Sequence, residues 1–256
     1  MAVRGIPRRF AETRRGVHAR IVEELGSRIV AGVYPPGSAL PAEGDYGIQQ
    51  SVSRTSVREA VKTLSGKGLV ESRPKTGTRV RPRQAWNMLD PDVVAWAFGS
   101  TGNRGYGHDF YEFRRIFEPQ AAALAAERRS AADLERLRKA LAAMGAARKG
   151  EDWIVPDMQF HQTILEATGN DLLMSLGHLL EPVLGRSFSL MSTDTSRLGV
   201  WFSRHEAVYL AIEAADPERA SGLMTDLLIG SLDDLDSIFL RQTGTEADRA
   251  PLRGSA

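Results

Sequence analysis

The residues best placed to bind an anion lie at the start of one predicted helix. Arg54, Arg58 and Lys62 recur every four residues and so fall on one helical face, where three cations can contact phosphate. Ser53 stands at the N-cap position, where its hydroxyl can accept a hydrogen bond from a first-turn amide. The other amides of that turn point outward, toward an anion. Ordinary amphipathic surface helices share this pattern, so the neighbouring elements must decide its meaning.

A second group has the spacing of metal ligands or of hydrogen-bonding partners. Asp157 and His161 are four residues apart, so on a helix both side chains aim at one place. The sequence has no cysteine, which excludes disulfides and thiolate metal sites.

The elements around Ser53 predict how the anion-binding face is held. The helix after Ser53 carries an apolar stripe opposite its cations, and two helices precede it, over His18–Ala31 and about Ala42–Gln50. Two short strands follow, on either side of a turn at Gly77. This order predicts a winged helix-turn-helix. The stripe consists of Val57, Ala60, Val61 and Leu64.

The motifs of this region resemble those of GntR-type bacterial transcription regulators. They are Pro36-Gly37-x-x-Leu40-Pro41-x-Glu43, Val52-Ser53-Arg54-Thr55-x-Val57-Arg58-Glu59-Ala60, Gly68-Leu69-Val70 and Gly77-Thr78. The resemblance implies binding to double-stranded operator DNA. Base and phosphate contacts are then expected from Ser53, Arg54, Thr55 and Arg58, and the wing, with Lys75 and Gly77, approaches the minor groove. The family commonly has arginine where this sequence has Gly44, which puts one DNA contact in doubt.

The charge distribution agrees with a DNA-binding N-terminal part. Residues 1–83 carry 16 Lys and Arg against 7 Asp and Glu, and the remainder carries 17 against 25. The two parts are therefore net +9 and net −8, which the whole-chain net charge of +1 conceals. The acidic remainder is not expected to bind DNA.

The remainder of the 256 residues is almost continuously helical by pattern. We predict a mainly α protein in which the winged helix-turn-helix, with its small β wing, precedes an all-α antiparallel helical bundle. The predicted divisions are a flexible basic arm (1–16), the DNA-binding domain (17–83), an interdomain segment (84–107), a ligand-binding domain (108–240) and a disordered tail (241–256). The predicted long helices are Tyr111–Arg129, Ala131–Lys149, Asp152–Thr168, Leu172–Met191, Ser196–Ala215 and Glu218–Leu240.

The helical part resembles the FCD effector domain of the fatty-acid-regulator branch of the same family. The residues that carry this resemblance are Glu112-Phe113-Arg114-x-x-x-Glu118-Pro119-x-Ala121-Ala122, Asp157-x-x-Phe160-His161, Gly169-Asn170 and His205-x-x-Val208-x-x-Ala211-Ile212. In that family an Asp and three His often surround a divalent metal, which implies Asp157, His161 and His205 as ligands here. The fourth position is Leu227, which cannot coordinate a metal.

Two interpretations of this site stay open. Three ligands and a water can hold one zinc-like ion, or the same three side chains can hydrogen-bond an effector's hydroxyl groups directly. The resemblance also places Arg114 beside the pocket, where its guanidinium is expected to bind a carboxylate.

The segment after the wing narrows the effector class. Trp86-Asn87-x-Leu89-Asp90-x-Asp92-Val93-x-x-Trp96 resembles the interdomain segment of galactonate-operon repressors and their relatives, which implies a sugar-acid effector; amino, fatty or dicarboxylic acids are the alternatives. The two tryptophans are expected to fix one domain against the other.

These features predict a homodimeric cytoplasmic repressor that binds a short inverted repeat and releases it when a small carboxylate binds. No catalytic fingerprint or long apolar run is present, so we expect neither an enzyme nor a membrane protein. A metal-dependent hydrolase fused to a DNA-binding module and an architectural DNA-binding protein without a ligand are the alternatives from other classes.

Overall fold

The computed structural model describes residues 16–73, 77–99, 104–177 and 195–243. The chain divides into two compact units, Met1–Ser100 and Thr101–Ala256. The division falls inside the segment 84–107 that the sequence predicts to be interdomain. The predicted arm, apart from Gly16, and the end of the predicted tail lie outside the described residues, as does most of the predicted helix Leu172–Met191.

The first unit is a winged helix-turn-helix, as predicted. Its elements are α1 (Val17–Val30), α2 (Glu43–Gln49), α3 (Arg54–Gly66), β1 (Val70–Arg73), β2 (Gly77–Val80), a 3-10 turn (Arg83–Ala85) and α4 (Pro91–Gly99). Helix α3 packs on α1 and α2, and the wing strands pair antiparallel, with Val70 opposite Val80 and Arg73 opposite Gly77. A bridge between Ala39 and Arg79 adds the segment before α2 to the edge of the wing.

The two tryptophans after the wing contact residues of the first unit itself. The indole nitrogen of Trp86 donates a hydrogen bond to the carbonyl of Arg81 (2.9 Å). The ring of Trp96 packs on Gly26 of α1 so closely that a Cβ on that glycine would lie 2.3 Å from it. Helix α4 is therefore attached to α1 of the DNA-binding unit.

The second unit is an all-α antiparallel bundle. Its helices are α5 (Arg104–Arg128), α6 (Ala131–Ala146), α7 (Gly150–Ala167), α9 (Leu198–Glu213) and α10 (Pro217–Thr243); residues 171–177 are helical and are called α8, and a 3-10 turn covers Thr195–Arg197. Helix α5 packs on α7, α9 and α10, and α6 packs on α7 and α9. No helix in the described part of the chain is long and apolar enough to cross a membrane.

Two arginines at the end of α5 donate hydrogen bonds to the C-terminal ends of α7 and α9. Arg128 donates to the carbonyl of Thr168 at the end of α7 (2.8 Å), and Arg129 donates to the carbonyl of Glu213 at the end of α9 (3.0 Å). Cations in these positions pair with the negative ends of the helix dipoles. A capping box then starts α6, because Ser130 and Asp133 each accept a backbone hydrogen bond from the other.

Candidate functional site

The start of α3 has the geometry that the sequence predicts. The Ser53 hydroxyl accepts a hydrogen bond from the amide of Ser56 (3.1 Å), so it is the N-cap. The apolar stripe is buried, whereas Arg54, Thr55 and Arg58 are exposed. Arg54 lies 3.6 Å from Glu43 on α2, and its side chain is 79% exposed. An ion pair this exposed contributes little to stability and leaves the guanidinium available to a phosphate.

The wing lies beside this surface in the same unit. Gly77 adopts a φ of +78°, which a residue with a side chain rarely adopts, and is the first residue of β2. Arg79 donates to the carbonyl of Gly37 (2.9 Å), which fastens the wing to the loop before α2. Lys75, predicted to act with Gly77, lies outside the described residues.

The second candidate site is a buried cluster of ionisable side chains in the helical bundle. Asp157 and His161 lie on α7, as their spacing predicts, and α9 brings His205 to them. Arg114 and Glu118 reach the same place from α5. All five residues are at most 3% exposed, so this charge lies inside the protein.

His205 directs a lone pair at Asp157. Its Nδ1 lies 2.7 Å from the carbonyl oxygen of Trp201. Because a carbonyl oxygen can only accept a hydrogen bond, Nδ1 must carry the hydrogen. In the neutral ring Nε2 is then an acceptor, and it lies 2.8 Å from Asp157 Oδ1, another acceptor. Neither this Nε2 nor Asp157 Oδ2 has a hydrogen-bond partner among the described residues, although both are buried. A proton or a metal cation between the imidazole and the carboxylate removes this conflict.

His161 is oriented by Glu118, a residue that the sequence analysis did not assign to the site. Its Nδ1 lies 2.8 Å from Glu118 Oε2, and its Nε2 lies 3.9 Å from Asp157 Oδ1. A proton on Nδ1 satisfies Glu118, and in the neutral form of the ring the lone pair of Nε2 then lies on the side of Asp157. The four-residue spacing of Arg114 and Glu118 was the available signal, because it places both on one face of α5.

Arg114 is already paired. Its Nε lies 2.5 Å from one oxygen of Glu118, and its Nη2 lies 3.2 Å from the other. The same Nη2 is 3.3 and 3.2 Å from the two ring nitrogens of His161, so it cannot lie along the lone pairs of both. The planar fork that the sequence assigns to an effector carboxylate therefore holds Glu118, and within the described part of the chain Nη1 is the guanidinium nitrogen left for a ligand.

Both carboxyl groups of the cluster are ionised. Burial alone would raise the pKa of Glu118, but the charges of Arg114 and His161 outweigh burial and lower it to about 2. Burial likewise opposes ionisation of Asp157, but its contact with His205 and the nearby charges of His161 and Arg114 lower its pKa.

The cluster fits a divalent cation. The ligand atoms that Asp157, His161 and His205 offer lie within 4.8 Å of one another. Each histidine has its other ring nitrogen on an oxygen acceptor, which is the usual arrangement of metal-ligating imidazoles. Leu227, which the sequence resemblance places at the fourth-ligand position, is buried and lines a separate cavity of about 560 Å³ between α9 and α10.

Comparisons with known proteins agree with both halves of this description. The model of the bacterial regulatory proteins of the gntR family matches residues 18–80, and the FCD domain model matches residues 109–229. An uncharacterized HTH-type transcriptional regulator, YieP of Escherichia coli K12, is 37% identical over 78% of this chain and 87% of its own length. The galactonate operon transcriptional repressor of the same organism is 31% identical over 83% and 93%.

One solved structure supports the fold. Lar, described as controlling expression of the Listeria monocytogenes agr system, superposes with a TM-score of 0.63 at 16% identity, over 88% of this chain and 99% of Lar. The two family models together span most of the sequence, in the order in which the two units occur. The chain belongs to the GntR family of bacterial transcription regulators and carries an FCD domain, which makes it a ligand-responsive DNA-binding regulator.

Proposed function

We propose that this regulator represses an operon for sugar-acid catabolism, of the galactonate or gluconate type, and leaves its operator when a small carboxylate binds in the second unit. The observation that carries the proposal is the buried cluster in which Asp157 Oδ2 has no hydrogen-bond partner among the described residues and His205 Nε2 faces Asp157 Oδ1 at 2.8 Å. The similarity to a galactonate operon repressor supports the effector class.

The cluster suits a hydroxylated acid. A divalent cation, when bound, supplies a centre with open positions for carboxylate and hydroxyl oxygens. Asp157, His161 and His205 would hold it, and Arg114 Nη1 would donate to the effector carboxylate. Without a cation, the same three side chains hydrogen-bond the hydroxyl groups of the effector directly. Removing divalent metal distinguishes the two interpretations, because the protein would lose its response to the effector only if a cation holds the effector.

Two copies of the chain would bind DNA as a homodimer in the cytoplasm. Their α3 helices would enter successive major grooves about 34 Å apart, so the operator would be a short inverted repeat. Ser53, Arg54, Thr55 and Arg58 would contact bases and phosphates, and the wing with Lys75 and Gly77 would enter the minor groove. Effector binding would weaken this complex by about 1–3 kcal/mol, the usual range of coupling between two sites.

The test is fluorescence anisotropy of the full chain on the DNA upstream of its own gene, titrated with aldonic and uronic acids. We expect one of these acids to lower operator affinity at least about fivefold. His205→Gln should bind DNA normally and respond poorly to the acid. The matched control is His108→Gln, because His108 is 38% exposed in its pair with Asp236 and lies outside the cluster.

The outcomes are distinct. Release by a dicarboxylate, amino acid or fatty acid, and by no sugar acid, would refute the effector class and leave the cluster as the ligand site. Equal responses of the two histidine variants would refute the cluster itself.

A further inference from the structure

The segment after the wing, residues 84–99, packs against the DNA-binding unit at two glycines that have no side chain to block it. At Gly26 on α1, an added Cβ would lie 2.3 Å from the ring of Trp96. At Gly68, after α3, it would lie 2.3 Å from the carbonyl oxygen of Ala85, and the backbone there has a φ of +78°. Both positions therefore exclude any side chain in favour of residues from the 84–99 segment.

Lys67 connects this segment to the end of the DNA-reading helix. It is the C-cap residue of α3, and its Nζ lies 2.9 Å from both carboxylate oxygens of Asp90 and 2.8 Å from Asp92. Its carbonyl accepts a hydrogen bond from the amide of Asn87 (3.0 Å). The Lys67 and Asp90 side chains are only 14% and 17% exposed, so water screens this pair less than a surface pair.

Asp90 also starts α4. Its Oδ1 accepts hydrogen bonds from the amides of Asp92 and Val93 (3.0 and 3.3 Å). One carboxylate thus caps the N-terminus of α4 and pairs with the cation at the C-terminus of α3, and both positions agree with the helix dipoles. The buried side chains of α4, among them Val93 and Trp96, then pack on α1, which itself packs on α3.

Lys67 is in the wrong place to contact DNA. A helix-turn-helix binds bases with the N-terminal residues of its second helix. Lys67 follows Arg54 by thirteen positions, which is about 20 Å along a helix axis at 1.5 Å per residue. Its amine also forms ion pairs with two carboxylates, so its charge is already compensated within the protein.

We propose that the 84–99 segment is a brace of the DNA-reading helix, and that Lys67, Asp90 and Asp92 are positioning residues for operator recognition. The brace fixes the end of α3 relative to α1 and so sets the angle at which its first turn meets the bases. The functional DNA-binding module of this chain therefore extends to residue 99, beyond the 18–80 that the family model matches.

The experiment measures binding of the full chain to its operator duplex and to a scrambled duplex of equal length, at several salt concentrations and without effector. Lys67→Met should lower operator affinity about tenfold, which corresponds to about 1.4 kcal/mol, and leave affinity for the scrambled duplex unchanged. The matched control is Lys62→Met, which removes a cation that is 64% exposed on the same helix. It should lower both affinities by one factor, because it changes electrostatic attraction and not position.

Two results would overturn the proposal. Lys67→Met could bind the operator as tightly as the unmodified protein, which would show that the pair positions nothing. The substitution could instead weaken binding to both duplexes equally. It would then also reduce the slope of log affinity against log salt concentration by about 0.9, as the loss of one phosphate contact does. If Lys67→Met fails to fold, Asp92→Asn replaces it, because Asp92 is 51% exposed and its loss leaves the Asp90 pair intact. A loss of operator affinity confined to the specific duplex is expected for this variant too, and its absence would refute the brace.

Discussion

Replacing Glu118 by glutamine tests the electrostatics of the buried cluster directly. The carboxylate is 1% exposed, and the pKa of about 2 compared with 4.5 means that the folded protein favours the ionised form. At 1.36 kcal/mol per pKa unit, this difference corresponds to about 3 kcal/mol. Because the pKa is depressed on folding, this stability is present above pH 4.5 and is lost as the pH falls toward 2. Glu118→Gln should therefore unfold more easily by about 3 kcal/mol at neutral pH.

The assay is urea unfolding followed by circular dichroism, with both proteins compared between about pH 7 and pH 3. The difference in the free energy of unfolding should shrink as the pH falls, because protonated glutamic acid and glutamine are both neutral. Glu127→Gln is the control on the same helix, and since its side chain is exposed its effect should stay within about 0.5 kcal/mol. A difference that is constant across this pH range would come from packing, and it would refute the assignment of the effect to the Arg114 and His161 charges.

Three further substitutions test other parts of the structure. Gly26→Ala should displace Trp96, shift the tryptophan emission and lower the melting temperature. Gly66→Ala, with open space around its Cβ, should leave the emission unchanged. Equal effects of the two substitutions would contradict the close packing of Trp96 on Gly26. Ser130→Ala should lower the free energy of unfolding by about 1 kcal/mol through loss of the capping box, as measured in urea. In a thermal-shift titration with zinc at 100 times its Kd, a bound ion should stabilise the protein by about 2.7 kcal/mol, and Asp157→Asn should abolish this gain; no shift in the unmodified protein would favour direct hydrogen bonding of the effector.

Features that depend on local chemistry could be predicted from the sequence. The Ser53 N-cap and the buried stripe of α3 both follow from side chains a few residues apart. The pairing of Asp157 with His161 on one helical face belongs to the same class. These predictions are confirmed because neighbouring residues on a helix or in a turn have fixed relative positions, whatever the rest of the chain does.

Features that join distant segments could not be predicted in this way. Glu118 contacts His161 only because α5 and α7 are packed at one particular register, which no local pattern specifies. The contact of Lys67 with Asp90 spans 23 residues. Glycine lowers helix propensity, and nothing in the sequence indicates that Gly26 makes room for the ring of Trp96. The contacts of Trp86 with Arg81 and of Trp96 with Gly26 belong to the same class, since nothing in the spacing of the tryptophans identifies the surface that they meet.

The cost of the buried cluster is itself an argument for a ligand. Buried charge pairs are commonly less stabilising than apolar side chains of similar volume, so a bundle selected for stability alone has no use for them. Asp234 shows how this protein satisfies a structural carboxylate, because it is 1% exposed and is held by Trp201 Nε1 (2.8 Å), Arg204 (3.0 Å) and Arg197. Asp157 is equally buried, yet its Oδ2 has no hydrogen-bond donor among the described residues, and its Oδ1 faces the Nε2 of His205 at 2.8 Å. Since an unsatisfied buried polar atom costs on the order of 1–3 kcal/mol, the contrast between the two aspartates favours a cluster that is completed by a cation or an effector.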